Sequence, residues 1–257
     1  MPATDLALLT DAARLAGEIA LSHWRRDTES WTKADDTPVS AADLAVDRLI
    51  HDALTHARPG YGWLSEESED DTDRLGRTHC LILDPIDGTR AFLAGERTWS
   101  VSLAVTTGPE VTAAVVHLPA RDLTYTATRD GAFVNGAPLT CGGHASPDGA
   151  RVMANKAVFR PEHWRALPGF RKVFRPSMAY RLACVAHDKC DAMLTFRQAW
   201  EWDIAAGSLI AQAAGAVVSD RSGAPLRFNT PERSSDGVLA ANPALHAGMR
   251  QALAVGG

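Results

Sequence analysis

The stretch Leu81-Ile82-Leu83-Asp84-Pro85-Ile86-Asp87-Gly88-Thr89-Arg90 places two carboxylates, a glycine and a hydroxyl at the end of an apolar run. Leu81 to Leu83 read as a buried strand, and Pro85 is expected to stop it. Asp84 and Asp87 then leave the strand end three residues apart, close enough to share or bridge divalent cations. Gly88 lets backbone approach an anion closely. Thr89 opens a short helix, where free N–H groups suit a phosphate. Asp, Pro and Gly are also turn formers, but a plain turn requires neither the second Asp nor the Thr in this order. The combination suits a magnesium-dependent phosphatase.

The rest of the chain sets bounds on that reading. At 257 residues it has room for one large domain or two intimate lobes and for a full core. A net charge of −5 argues against a nucleic-acid polymer as partner, since such surfaces carry a basic excess. It does not argue against a phosphorylated substrate, because bound metals reverse the local sign of a site. Cys80, Cys141, Cys184 and Cys190 form no C-x-x-C pair, so neither a zinc site nor a disulfide framework is indicated. The start, Met1-Pro2-Ala3-Thr4-Asp5, lacks the basic and apolar regions of a signal peptide. No apolar run approaches the ~18–20 residues of a membrane span. A cytoplasmic protein with no membrane partner is expected.

Leu6, Leu9, Ala13, Ala16 and Ala20 fall at helical spacing and predict a helix to about Ser22. Ser40 can cap a second helix, to about His56. Glu66 through Asp73 reads as a carboxylate-rich loop. Strands are expected at Val101 to Thr106, Val111 to Leu118 and Leu123 to Ala127, and Arg129 to Gly136 suggests tight turns around a short strand. Residues 140–149, rich in turn formers, are the best boundary between a first lobe (1–140) and a second (141–257). Beyond it strands and helices alternate: strands near Val152, Val173, Ala192 to Phe196, Ala216 to Ser219 and Gly237 to Ala240. Helices are expected near Pro161 to Leu167, over Met178 to His187, over Ile204 to Ala214 and at the C-terminus. The class is α/β, with an α+β first half and a layered α/β second half.

Asp84-Pro85-Ile86-Asp87-Gly88-Thr89 resembles the first signature of the inositol monophosphatase superfamily, and Trp202-Asp203-Ile204-Ala205-Ala206-Gly207 resembles its second. Ser65-Glu66-Glu67 and Pro38-Val39-Ser40-Ala41-Ala42-Asp43 match two further short motifs in the family's chain order. The resemblance runs from about residue 5 to the C-terminus. It implies a five-layered αβαβα sandwich, a homodimer, and a lithium-sensitive phosphomonoesterase with two to three magnesium ions per site. Glu66, Asp84, the Ile86 carbonyl and the water held by Thr89 would serve the first ion. Asp84, Asp87 and Asp203 would serve the second, with a third, weaker ion on Glu66. Asp43 would accept a hydrogen bond from Thr89, whose hydroxyl orients the attacking water, and phosphate would rest on Gly88 and Thr89. Catalysis would thus engage Asp43, Glu66 and Thr89.

Several of these residues carry a second reading. Asp203 could be a helix N-cap, and Asp43, three residues after Ser40, could be half of a capping box. Asp70, Asp71 and Asp73 read as solvated surface. Lys33, in Lys33-Ala34-Asp35-Asp36, is placed by the resemblance in a mobile basic loop near the phosphate. Direct hydrolysis is expected, because no G-x-S-x-G, P-loop or H-E-x-x-H occurs and the D-x-x-D spacing does not fit a haloacid dehalogenase.

Substrate choice in this superfamily lies in the second lobe, here Ser177, Arg181, Arg197, Glu201 and Asp203. The inositol-specific pattern has a carboxylate seven residues before the signature Asp, where this chain has Phe196, and a Gly where it has Pro176. The motifs around Lys33 to Asp43 and Leu64 to Glu67 look closer to bacterial 3'(2'),5'-bisphosphate nucleotidases. Trp200 or Trp202 could stack on a purine or simply anchor the core. Inositol phosphate and histidinol phosphate stay open as substrates, as does a catalytically idle binding protein with the same fold.

Overall fold

The computed structural model describes residues 4–26, 28–33 and 37–254. Its elements in chain order are α1 (Asp5–His23), β1 (Ser30–Thr32), β2 (Pro38–Ser40), α2 (Ala41–Ala57), β3 (Gly62–Ser65), β4 (His79–Asp87), α3 (Thr89–Leu93), β5 (Ser100–Thr107), β6 (Glu110–Leu118), β7 (Leu123–Thr128), β8 (Gly131–Val134) and β9 (Ala137–Pro138). Then come β10 (Arg151–Met153), β11 (Arg171–Val173), α4 (Met178–Ala186), β12 (Ala192–Trp200), α5 (Glu201–Ala213), β13 (Val217–Ser219), β14 (Ser234–Ala241) and α6 (Pro243–Ala252).

Among the described residues, β3 to β9 form a seven-stranded sheet in chain order, parallel at β3–β4 and antiparallel beyond. A five-stranded sheet has the order β11-β10-β12-β14-β13. The run Cys80-Leu81-Ile82-Leu83 is apolar throughout because both faces of the first sheet are covered. Leu81 and Leu83 point to α1 and α2, and Cys80 and Ile82 point to α4 and α5. Those two helices sit between the sheets, where Met193, Val238 and Ala240 meet them from β12 and β14. The outer face of the second sheet is closed by Leu245 and Met249 of α6. The layers are therefore αβαβα.

Two sequence expectations need correction. Pro85 does not stop the strand: β4 continues to Asp87, and the ladder to β5 slips between Asp84↔Ser102 and Asp87↔Ser100. Proline has no N–H for the ladder, so it is accommodated where the extra residue bulges out. The helix near Pro161 to Leu167 shrinks to one tight turn, Pro161–His163. Trp164 leaves that turn in extended conformation, bridges to Leu253, and buries its ring against Phe170 and Phe196.

Candidate active site

The bulge in β4 gathers the carboxylates. Asp84 sits before it and Asp87 after it, so both reach the same side, and Asp203 arrives from the first turn of α5. Ligand oxygens of Asp84, Asp87 and Asp203 lie within 4.8 Å of one another. Burial raises the pKa of Asp84, and the neighbouring Glu66, Asp87 and Asp203 raise it further. Burial likewise raises Asp203, and Asp87 adds to it. Asp84 Oδ1 is buried with no hydrogen-bond partner among the described residues. Buried like charges with an unspent oxygen make poor structure without a cation. The donor set, all hard oxygen, fits magnesium.

Asp87 is held differently from Asp84. Its Oδ1 accepts from Met178 N (3.0 Å), and its Oδ2 accepts from Ser177 Oγ (2.6 Å) and Ala179 N (2.7 Å). Burial still raises its pKa, against the lowering effect of these three donors. Helix α4 is thereby docked, through its first turn, onto a candidate ligand carried by the first sheet. Asp203 is not an N-cap: α5 starts at Glu201, with Asp203 its third residue.

The Glu66 loop is clamped from α2. Asp47 accepts from Ser65 Oγ (2.5 Å) and Ser68 Oγ (2.7 Å), bracketing Glu66 and Glu67. Glu66 lines the cleft beside the three aspartates rather than converging with them. Lys33 Nζ reaches Glu66 (3.1 Å) and Glu67 (2.7 Å), and so it faces carboxylates. Ala34 to Asp36 of its loop lie outside the described residues. Glu67 is pushed up to about 7 by burial, despite Lys33.

Thr89 follows Gly88, whose φ of 98° is left-handed. Its hydroxyl lies 3.1 Å from the Ile86 carbonyl and 3.4 Å from Asp43 Oδ1. Asp43 Oδ2 meanwhile accepts from Ser40 N (2.8 Å) and Ser40 Oγ (2.6 Å), so Asp43 caps α2 and faces Thr89 at once. Burial moves Asp43 up to about 6.

Above the carboxylates lies a cleft of about 760 Å³, bordered by Lys33, Arg181, Arg197, Trp200, Trp202 and Arg233 among others. Its far wall depends on a second bulge, in β12, between Thr195↔Val238 and Gln198↔Asp236. Gly237 opposite has φ +70°, and a Cβ there would come within 2.6 Å of the Thr195 carbonyl.

The sequence profile of the inositol monophosphatase family matches residues 2–254, nearly the whole chain. The chain belongs to the inositol monophosphatase family. It is 36% identical over 195 residues to an inositol-1-monophosphatase of Rhizobium meliloti, covering 72% of this chain and 73% of that one. It is 33% identical over 246 residues to a 3'-phosphoadenosine 5'-phosphate phosphatase of Mycobacterium leprae, covering 88% and 84%. The extragenic suppressor protein SuhB from Bartonella henselae superposes with a TM-score of 0.83 at 26% identity, covering 97% and 98%. The protein is accordingly a metal-dependent phosphoric monoester hydrolase acting on a small phosphorylated compound.

Within this family member, four sequence assignments change. Ser177 is wholly buried, bonded to Asp87 and to Ser100 Oγ (3.0 Å), and so lies behind Asp87 instead of facing the cleft. Glu201 is also wholly buried; its carboxylate accepts from Asn229 N (2.6 Å), Thr230 N (2.9 Å) and Thr230 Oγ1 (2.6 Å), which leaves it no reach into the cleft. Asp70 is no solvated acid: it takes Arg74 Nε at 2.6 Å and Nη2 at 3.1 Å. Phe196 turns outward at the bulge to His163, Trp164 and Arg221, while Arg197 and Gln198 line the cleft.

The Trp pair is neither a free purine platform nor core alone. The two indoles stack on each other at 5.1 Å and 10°, so one face of each is occupied, while both rings border the cleft. Arg181 lines the cleft, but its Nε donates to the Arg175 carbonyl and its Nη2 to the Pro176 carbonyl (3.1 Å). Arg233, which also lines the cleft, carries no sequence signal: it sits in an ordinary polar turn before β14. Among the described residues no helix is long and apolar enough to cross a membrane.

Proposed function

We propose that this protein is a magnesium-dependent phosphatase that removes the 3'-phosphate of a nucleoside 3',5'-bisphosphate, adenosine 3',5'-bisphosphate being the reference substrate. The carrying observation is the trio of buried Asp84, buried Asp87 and half-buried Asp203, with its unspent oxygen, at the floor of a cleft whose opposite wall is basic and aromatic. Acid at one end and Arg197 with Trp200 at the other suit a ligand with a reacting phosphate, a ring and a second anion. Of the inositol-1-monophosphatase of Rhizobium meliloti and the 3'-phosphoadenosine 5'-phosphate phosphatase of Mycobacterium leprae, the latter is matched over the larger share of both chains, and its name is of that chemistry.

Glu66, Asp84, the Ile86 carbonyl, Asp87 and Asp203 are the residues that would hold magnesium. When bound, the ions supply Lewis acidity to the phosphoryl group and favour water as the nucleophile. The chain's own part is positioning and proton transfer. Thr89 Oγ1, poised between Asp43 and the Ile86 carbonyl, orients the attacking water. Asp43 Oδ1 receives the proton passed along that hydroxyl. Gly88, with no side chain over the cleft, lets backbone approach the phosphate.

The inositol-1-monophosphatase relative at 36% identity favours a second reading, with inositol 1-phosphate as substrate. Parallel steady-state kinetics on adenosine 3',5'-bisphosphate, inositol 1-phosphate and histidinol phosphate separate the two. The proposal expects the bisphosphate to have the highest kcat/KM. A tenfold advantage for either of the others overturns the bisphosphate assignment.

A further inference from the structure

Arg233 immediately precedes β14, next to Ser234, which pairs with Trp200 across the β12–β14 ladder. Its backbone is left-handed, with φ 57°. It is pinned at both ends: its N–H donates to Thr230 Oγ1 at 3.1 Å, and its carbonyl accepts from Glu201 N at 2.8 Å. Glu201 in turn grips Thr230, so the turn is locked to the first residue of the helix that carries Asp203. Left-handed conformation in a non-glycine residue, held by this many bonds, is strain of the kind found where a side chain must be aimed.

The guanidinium is aimed into the cleft. It stands 5.9 Å from the centre of the Trp200 ring and lines the same wall as Arg197 and Gln198. Its Nε is buried and has no hydrogen-bond partner among the described residues. Asp70 Oδ2 lies 3.7 Å from that Nε, near enough for charge but too far for a good hydrogen bond. Asp70 is already committed to Arg74, whose other donors reach Asn229 Oδ1 (2.7 Å) and the Thr230 carbonyl (3.0 Å). The pair thus holds the Arg233 turn in place and leaves its guanidinium donors for another partner. Arg181 has spent its Nε and Nη2 on carbonyls, and Arg197 lies exposed on the bulge. Of these three arginines, Arg233 is the one whose backbone is pinned while its Nε has no hydrogen-bond partner among the described residues.

We propose that Arg233 is the specificity residue for the second, non-reacting phosphate of the substrate, with Asp70 and Arg74 as its positioning residues. This rests on the bisphosphate reading above. A guanidinium offers a planar fork to phosphate and makes two parallel bonds, which a monophosphate without that group cannot use.

The test compares kcat/KM on adenosine 3',5'-bisphosphate and on adenosine 3'-monophosphate in wild type, Arg233→Gln and Arg233→Lys. Wild type should prefer the bisphosphate, and Arg233→Gln should shrink that preference tenfold or more, chiefly through KM. Arg233→Lys, a point charge without the fork, should keep part of it. Inhibition of wild type by adenosine 5'-monophosphate should exceed that by adenosine, a measurement that does not depend on a variant folding. A wild-type preference that survives intact in Arg233→Gln, or equal losses on both substrates, overturns the role of Arg233 alone. A wild type with no preference overturns the bisphosphate reading and this inference with it.

Discussion

Asp84 and Asp87 lie three residues apart and are candidate ligands in one cluster, yet their surroundings predict different stability consequences for the same substitution. Asp84 Oδ1 has no hydrogen-bond partner among the described residues, and its charge is repelled by four carboxylates. Asp84→Asn should therefore lower activity roughly a hundredfold or more, as for a lost transition-state charge contact. It should leave the melting temperature of metal-free protein unchanged or higher, because a buried repulsion is removed. Asp87 accepts three hydrogen bonds that dock α4. Asp87→Asn should lose comparable activity and also about 1–3 kcal/mol of stability, since an amide turns a donor toward donors. Activity assays and denaturant midpoints on the two variants check this; equal stability changes would contradict it. With its hydroxyl in the proposed role of orienting water and not gripping phosphate, Thr89→Ala should lower kcat with little change in KM. A raised KM with kcat intact would make Thr89 a binding residue only.

At the scale of elements, two bulges and one buried arginine organise the site. Gly237 opposes the β12 bulge with a Cβ position only 2.6 Å from the Thr195 carbonyl. Gly237→Ala should cost about 1–3 kcal/mol, from overpacking and a disfavoured φ, and should impair catalysis by displacing the wall that carries Arg197. The Asp70–Arg74 pair yields a prediction with pH. The hydrogen bond from Arg74 holds Asp70 below the usual carboxylate value of 3.8. A depressed folded pKa contributes stability that is present above the unfolded value and lost as pH falls through the folded one. Asp70→Asn should therefore narrow the gap in stability between neutral pH and the acid side of 3.8 relative to wild type, as read by urea midpoints. A variant with the wild-type acid profile would show that the pair contributes no such linkage.

These elements also show what a sequence discloses. The apolar run at Leu81 to Leu83, the α1 and α2 spacings and the D-x-x-D turn were legible, because each is a local pattern with a local cause. The bulges were not: Pro85 looks like a terminator until its neighbours show that the strand resumes. Ser177 and Glu201 looked like ligand contacts because they lie beside motif residues; burial and hydrogen bonding commit them to the frame. Arg233 gave no signal, since Asp70 lies far along the chain, and Arg74 pairs locally with Asp70 while its other partners, Asn229 and Thr230, are distant.

For the whole molecule, the site joins the two sheets: β4 and the Glu66 loop supply candidate ligands from one side, and α5 between the sheets supplies Asp203. Cation binding should therefore stabilise the molecule as a unit. Magnesium at a hundredfold excess over its dissociation constant would add about 2.7 kcal/mol per site, a rise in Tm of roughly 5–10 °C for a chain of this size. The measurement that tests the central claim most directly is phosphate release from adenosine 3',5'-bisphosphate by metal-stripped protein as magnesium is titrated back. Turnover should be negligible without metal, recover saturably with magnesium, and fail to recover in Asp84→Asn at the same concentrations. Full turnover in stripped protein, or a folded Asp84→Asn that recovers like wild type, would contradict that claim.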